Sequence, residues 1–349
     1  MALVVLLLTF SGCEKDVITL NVFNWGEYIS DGEEDSLNVN EAFTDYCREK
    51  YGANVKVNYT TYASNEDLYA KLQGGGVHYD IIIPSDYMIQ RMVREGMLEK
   101  LDFSNIPNYT NIMDQYKNLY YDKENEYSIP YNVGLVGMIY NSERVSEELD
   151  SWGAMWDPKY EKDIITFNNP RDAFGLAQAL LGIDPNSTNP SDWDRAFDKL
   201  VEQKAILKGY VMDEVFNKME SGEAAIAAYY AGDYLTMYGE NDKLKFVYPK
   251  EGTNIFVDAV CIPKGAEHKQ AAEWYINYLL EPEVAVANAE YICYASPNKT
   301  VAEDEESLAY LDELHPEAFD ILYNIDADYI ENKAFYFEDL PQETLDKMN

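Results

Sequence analysis

Four places in this 349-residue sequence set an aromatic ring beside a carboxylate: Trp25-Gly26-Glu27-Tyr28, Ser85-Asp86-Tyr87, Tyr230-Ala231-Gly232-Asp233 and Phe256-Val257-Asp258. A carboxylate offers an ammonium group a charge-assisted acceptor, and an aromatic face holds the cation or the methylenes next to it. Any one pair reads as a packed ring beside a solvated acid. Four pairs, each placed at the end of a strand-like run, point to a pocket for an organic cation, because open α/β sheets bind ligands beyond the carboxyl ends of their strands. The charge agrees: 27 Lys and Arg against 63 Asp and Glu give a net charge of −36. Such a surface repels phosphate backbones and anionic headgroups, which argues against nucleic acid and against a polybasic membrane contact. The 30 tyrosines outnumber all basic residues, and a ring with a wet hydroxyl suits a recognition surface.

Enzyme signatures are absent. Gly74-Gly75-Gly76 follows a helix rather than a strand and lacks the Lys-Ser/Thr of a phosphate loop, and neither GxSxG nor HExxH occurs. Cys13, Cys47, Cys261 and Cys293 have no metal spacing, and His78, His268 and His315 are scattered among polar residues. The expectation is a binding protein with no catalytic residue, no cofactor and no metal.

The elements that position these residues alternate. A length of 349 residues favours two domains, and 47% hydrophobic residues exclude disorder. Strand-like runs at 17–23, 53–59, 79–84, 135–140, 164–167, 224–230 and 246–248 alternate with helical patterns at 39–50, 64 onward, 85–96, 174–181, 194–202 and 269–280. Repeated βα units predict mostly parallel sheets flanked by helices. No Pro/Gly/Ser linker separates two halves, so two domains would be joined by short crossings of ordinary chain, as in proteins that close a cleft.

Residues 2–10, ALVVLLLTF, are apolar but too short to span a bilayer, and Ser11-Gly12-Cys13 follows before the polar Glu14-Lys15-Asp16. Small residues before a cysteine resemble the lipobox of bacterial lipoproteins, in which the cysteine becomes the acylated first residue. Phe10 stands where Leu is usual, and no Lys or Arg precedes the apolar run. The expectation is an exported protein held by lipid on Cys13 at the outer face of the cytoplasmic membrane, or periplasmic, with 1–16 as signal and anchor.

Longer motifs carry a second resemblance. Asn24-Trp25-Gly26-Glu27-Tyr28, Thr61-Tyr62-Ala63-Ser64-Asn65-Glu66 and Tyr79-Asp80-Ile81-Ile82-Ile83-Pro84-Ser85-Asp86-Tyr87 resemble the substrate-binding proteins of spermidine/putrescine ABC transporters. So do Tyr127-Ser128-Ile129-Pro130-Tyr131, Pro249-Lys250-Glu251-Gly252 and Tyr294-Ala295-Ser296-Pro297-Asn298, in family order and over nearly all the chain from about Val17 into the 330s. The resemblance implies a two-lobed periplasmic-binding-protein-like fold of type II, with two mostly parallel sheets and a cleft between the lobes. It implies an N-terminal lobe of 17–131 plus 257–302, a C-terminal lobe of 132–256 plus 303–349, and crossings near Tyr131, Phe256 and Ala302. It implies a monomer that captures putrescine or spermidine without catalysis and delivers it to a membrane permease.

Carried over residue by residue, Trp25 matches an aromatic wall, Glu27 an acid at the cleft and Tyr28 a cleft tyrosine. Ser85 and Tyr87 match contacts from a helix start, Asp172 an amine-contacting acid, Asp258 the most characteristic amine-binding carboxylate and Tyr294 another tyrosine. Tyr230 and Phe256 replace tryptophans. Asn169 stands where spermidine-preferring members carry aspartate, and Asp233 adds an acid in the manner of putrescine-preferring ones. The tail at Phe335–Glu338 does not reproduce the family's last polar contact. Two alternatives stand beside this reading. Tyr229-Tyr230 resembles the tyrosine pair of some ferric-iron-binding relatives, although neighbours on a strand point to opposite faces. A secreted glycoside hydrolase would need a carboxylate dyad, which 63 acids do not single out.

Overall fold

The first strand, β1 (Ile18–Trp25), pairs in parallel with β2 (Val55–Tyr62) on one side and β3 (Ile81–Ile82) on the other, with α1 (Val39–Tyr51) and α2 (Asn65–Gly74) between them. This computed structural model describes residues 17–33 and 36–348; the apolar amino-terminal run and Cys13 lie outside them. Local chemistry sets the helix ends. Asn38 and Ser64 accept from backbone N–H groups at the starts of α1 and α2, and Gly52 closes α1 in the left-handed conformation (φ 60°).

After α3 (Asp86–Arg94) the chain reaches β4 (Ser128–Asn141), then β5 (Ile164–Phe167), α4 (Pro170–Leu181), α5 (Pro190–Lys204), β6 (Leu207–Val211) and α6 (Glu214–Glu220). β7 (Ile226–Tyr230), α7 (Ala231–Glu240), β8 (Leu244–Val247), β9 (Thr253–Cys261), α8 (Lys269–Leu279) and α9 (Pro282–Ile292) follow. Short helices at Lys299–Ala302, Tyr310–Leu314, Ala318–Leu322 and Ala327–Asn332 lead to β10 (Ala334–Phe335) and a last helix, Gln342–Met348.

The fold is α/β with two lobes, and β4 and β9 run through both. The strand order is β2-β1-β3-β9-β4-β7-β5-β6, with β8 beside β4 and β10 beside β9. β4 is antiparallel to β9 over 128–135 and then antiparallel to β7 and β8 from Val136 onward, while β5 is parallel to β6 and β7. The parallel character of the βα units is therefore interrupted where these strands pass between lobes, and the strands form one continuous hydrogen-bonded path.

β4 is longer than the apolar run at 135–140 suggests. All fourteen of its positions are buried, so no polar alternation marks it, and Pro130, Asn132 and Gly134 obscure its first half. The ladder absorbs this region with an irregularity between Pro130 and Asn132. β9 carries the Phe256-Val257-Asp258 pair in its interior, not at an end, because it continues from one lobe into the other. Cys47, Cys261 and Cys293 are buried free thiols. His315 is half-buried, with its ring 4.2 Å from Tyr238 and its Nε2 3.1 Å from the Tyr234 hydroxyl.

Candidate ligand-binding site

β1 ends at Trp25 and the chain turns sharply, with Glu27 in the left-handed region at φ 47°. The turn brings Trp25, Glu27 and Tyr28 to one wall of a cavity between the lobes that encloses about 710 Å³ of atom-free space, open to solvent at its mouth. Trp25 is fixed by its indole N–H, which donates to the Ile83 carbonyl at 2.9 Å, and by the Tyr62 ring 4.7 Å away. The Tyr28 hydroxyl donates to Asp258 Oδ2 at 2.7 Å.

Ser85 occupies the N-cap position of α3, but its side chain does not cap the helix. Its Oγ instead accepts from Asn65 Nδ2 at 3.0 Å, its backbone forms an isolated bridge with that of Asp258, and its hydroxyl favours the ionised form of the Asp258 carboxylate. Tyr87, in the first turn of α3, donates to Glu66 Oε1 at 3.0 Å.

The opposite lobe supplies the ends of β5 and β7. Asn169 caps α4 by accepting from the Arg171 N–H at 3.0 Å and donates to Asp172 Oδ2 at 2.7 Å. The Tyr230 hydroxyl reaches the same oxygen at 2.8 Å. Asp172 and Asp233 stand in the first turns of α4 and α7, where a helix dipole favours negative charge. Phe256 and Asp258 share one face of β9, and the Phe256 ring lies over Gly134 so closely that a Cβ there would collide with it. Tyr294 follows Cys293, the left-handed cap of α9 (φ 60°), and packs on Gly232 in the same manner. The Tyr230 and Phe256 rings are 5.3 Å apart, and those of Tyr28 and Tyr294 are also 5.3 Å apart.

All twelve residues singled out in the sequence — Trp25, Glu27, Tyr28, Ser85, Tyr87, Asn169, Asp172, Tyr230, Asp233, Phe256, Asp258 and Tyr294 — line this cavity. Tyr62, Asn65, Met212, Asp213, Phe216, Tyr229, Asn254 and Phe337 line it too and were not singled out for it. Tyr62 and Asn65 lay inside a recognised motif, and Asn254 could have been reached by counting back along the Phe256–Asp258 face. Asp213 carries no local signal. Tyr229 joins Tyr230 at the cavity, with ring centroids 4.9 Å apart, because β7 ends there and strict alternation lapses. Burial lifts both phenols well above their ordinary range, and the Tyr230 hydroxyl donates a hydrogen bond to Asp172, so both are neutral phenols in the free protein.

The cavity is electrostatically one-sided. No Lys, Arg or His is among the described residues that line it. Burial pushes Asp258 up to about 6 against the pull of its hydrogen bonds from Ser85 and Tyr28. Burial likewise pushes Asp172 up to about 7, offset in part by the Tyr230 hydroxyl, and Asp233 up to about 8, offset by Tyr294. Arg171, a cation that acts on Asp172 from outside the lining, is 1% exposed and spends its guanidinium on the Pro185 carbonyl at 3.0 Å and Asn186 Oδ1 at 2.8 Å. Desolvation brings Arg171 down to about 10, so it stays charged, stacked 4.2 Å from the Phe337 ring centroid. Asp258 Oδ1 and Asn254 Oδ1 are buried acceptors without a partner. Such groups are costly unless something supplies a donor. A group with several N–H donors, a positive charge and an apolar body meets every demand of these walls.

Residues 78–322 match the family of bacterial extracellular solute-binding proteins. The chain belongs to that family. Among its relatives, the spermidine/putrescine-binding periplasmic protein of Salmonella typhimurium is 32% identical over 287 residues, which are 81% of this chain and 79% of that one. The putrescine-binding periplasmic protein PotF of Escherichia coli is 28% identical over 301 residues, 80% of this chain and 78% of its own. The structure of a spermidine/putrescine ABC transporter protein from Listeria monocytogenes superposes with a TM-score of 0.82 at 33% identity, covering 95% of this chain and 96% of that one. The substrate-binding protein PotD of Streptococcus pneumoniae gives a TM-score of 0.72 at 32% identity, with 95% and 96% covered. As a solute-binding protein, the chain thus has homologues that serve ABC transporters, and its cleft lies where two strands cross between lobes. Among the described residues no helix is long and apolar enough to cross a membrane.

Proposed function

We propose that this solute-binding protein captures a linear polyamine, putrescine or spermidine, for an ABC importer and delivers it to the membrane permease without catalysing a reaction. The observation that carries this reading is the unpartnered Asp258 Oδ1 in an acidic cavity walled by Trp25, Tyr28, Tyr230, Phe256 and Tyr294 and lined by no described basic residue. An ammonium supplies the missing donor and its methylenes lie against the rings. In this reading Asp258 and Asp172 bind amines directly, Asp233 and Glu27 add charge, and Ser85, Tyr87 and Asn169 hold the carboxylates and rings in place. The lobes, 17–131 plus 257–302 and 132–256 plus 303–349, close on the amine by bending at the crossings. Export by a signal cut before Cys13, with lipid on that cysteine, keeps the protein at the outer face of the membrane.

The test is thermal melting with and without amine. A ligand that binds only the folded state raises the melting temperature, so putrescine or spermidine at about a millimolar produces a clear upward shift. No shift with either amine, or a shift with free amino acids or sugars instead, defeats the reading.

A further inference from the structure

Glu27, Asp213 and Asp233 line the aromatic cavity and also a larger groove beside it, with about 2070 Å³ of atom-free space, so these three carboxylates, with Phe216, form the boundary between the two spaces. They come from separate segments: the turn after β1, the link between β6 and α6, and the first turn of α7. The groove beyond them adds Glu33, Glu220, Glu240 and Glu290, and no Lys, Arg or His is among its described lining residues. The charged side chains that a cation meets along this route, among the described lining residues, are all carboxylates.

Asp213 holds a distinct position in this boundary. Its carboxylate reaches across to the backbone of the facing lobe: a Cβ on Gly26 would stand 2.5 Å from Asp213 Oδ2, so the approach exists only because residue 26 is glycine. The charged groups acting on Asp213, Glu27 and Asp233 are carboxylates; among described residues no basic side chain offsets them. Asp258 acts on Asp172 within the cavity, whereas at its boundary Asp213 acts on Glu27, and both Asp213 and Glu27 act on Asp233. An independent feature of the same cavity points to a ligand, namely Asp258, 4% exposed with Oδ1 unpartnered.

We propose that Asp213, with Glu27 beside it, receives the amine of a linear polyamine that extends past the first two, and so sets the preference for triamines and longer chains over diamines. The inference rests on the polyamine reading of the site. A diamine satisfies the carboxylates within the cavity. A further charged nitrogen that extends towards the open groove reaches the boundary, where Asp213 meets it from one lobe and Glu27 from the other.

Calorimetric titration of the purified protein with putrescine, spermidine and spermine tests this in wild type, Asp213→Asn and Gly26→Ala. Asp213→Asn keeps the shape and removes the charge. Its affinity for spermidine and spermine should fall by about tenfold or more, while putrescine changes by less than about threefold. Gly26→Ala displaces the carboxylate without altering it and should shift the same ratio in the same direction. Equal losses for all three amines, or no loss for spermidine, overturn the assignment of Asp213, and an unchanged ratio in Gly26→Ala overturns the cross-lobe approach as its basis. If wild type binds no amine, the polyamine reading itself has failed; if wild type binds and the ratio in Asp213→Asn is unchanged, only the role of Asp213 has failed.

Discussion

Asp258 accepts a 2.7 Å hydrogen bond from the Tyr28 hydroxyl on Oδ2 while its Oδ1, equally buried, has no partner. The pair joins two segments 230 residues apart in sequence. Tyr28 also takes part in the aromatic wall, so one residue both orients the carboxylate and covers the ligand's apolar body. A carboxylate with one oxygen fixed and one free is prepared to receive a donor without rearranging.

Removing that charge is the most direct probe. Asp258→Asn retains the shape and one acceptor, and a hydrogen bond to a charged group contributes about 1.5–3 kcal/mol, so polyamine affinity measured by calorimetry should fall by roughly ten- to more than a hundredfold. Glu33→Gln, at an exposed position on the rim, should cost no more than about 1 kcal/mol. Unchanged binding by Asp258→Asn would remove Asp258 from the site.

Affinity should depend on pH. Asp258, Asp172 and Asp233 titrate near 6, 7 and 8 in the free protein, all raised by burial, and an ammonium ligand favours their ionised forms. Binding therefore strengthens as pH rises from about 5 to about 8 and releases protons, seen as a calorimetric heat that varies with the ionisation enthalpy of the buffer. The free protein behaves oppositely. Between the unfolded carboxylate value near 4 and these raised values the native state holds more protons than the unfolded one, so these groups make stability fall as pH rises through that window. A melting temperature for the free protein that climbs from pH 5 to 8, with ligand affinity flat, would contradict both statements.

Gly134→Ala tests the aromatic wall. A Cβ at that position collides with the Phe256 ring, which is itself backed by Tyr230, so the substitution should destabilise the protein by about 1–3 kcal/mol in urea unfolding. Binding should weaken as well, because the displaced ring leaves the cavity narrowed. Wild-type stability in this variant would mean that Phe256 can retreat freely and is not a fixed wall.

Closure of the lobes predicts a change of overall size. If the crossings in β4 and β9 bend while the lobes stay rigid, small-angle scattering should give a smaller radius of gyration with saturating amine than without. An identical profile in both states would rule out closure as the capture step.

Mass spectrometry of protein extracted from native membranes should find Cys13 as the acylated first residue. Recovery of the chain beginning at Met1 would refute the tether.

The sequence by itself determined the local parts of this protein. Helix ends at Asn38, Ser64 and Gly52 follow from short-range capping, and the aromatic–acid pairs at Trp25–Tyr28, Ser85–Tyr87 and Tyr230–Asp233 stand at strand ends that periodicity locates. The family motifs added the residues that meet from distant segments, Asp172, Asp258 and Tyr294 among them. Tertiary structure alone decided the rest. β4 was half hidden because burial on both faces erases alternation. Ser85 surrendered its capping role because Asn65 and Asp258 lie close enough to claim its hydroxyl. Asp213 entered the cavity through a gap left by Gly26 in the other lobe, a contact between residues 187 positions apart that no local pattern encodes. The raised proton affinities of the carboxylates belong to the assembled cleft as well, since they arise from water removed when the two lobes face each other and exist in neither segment alone.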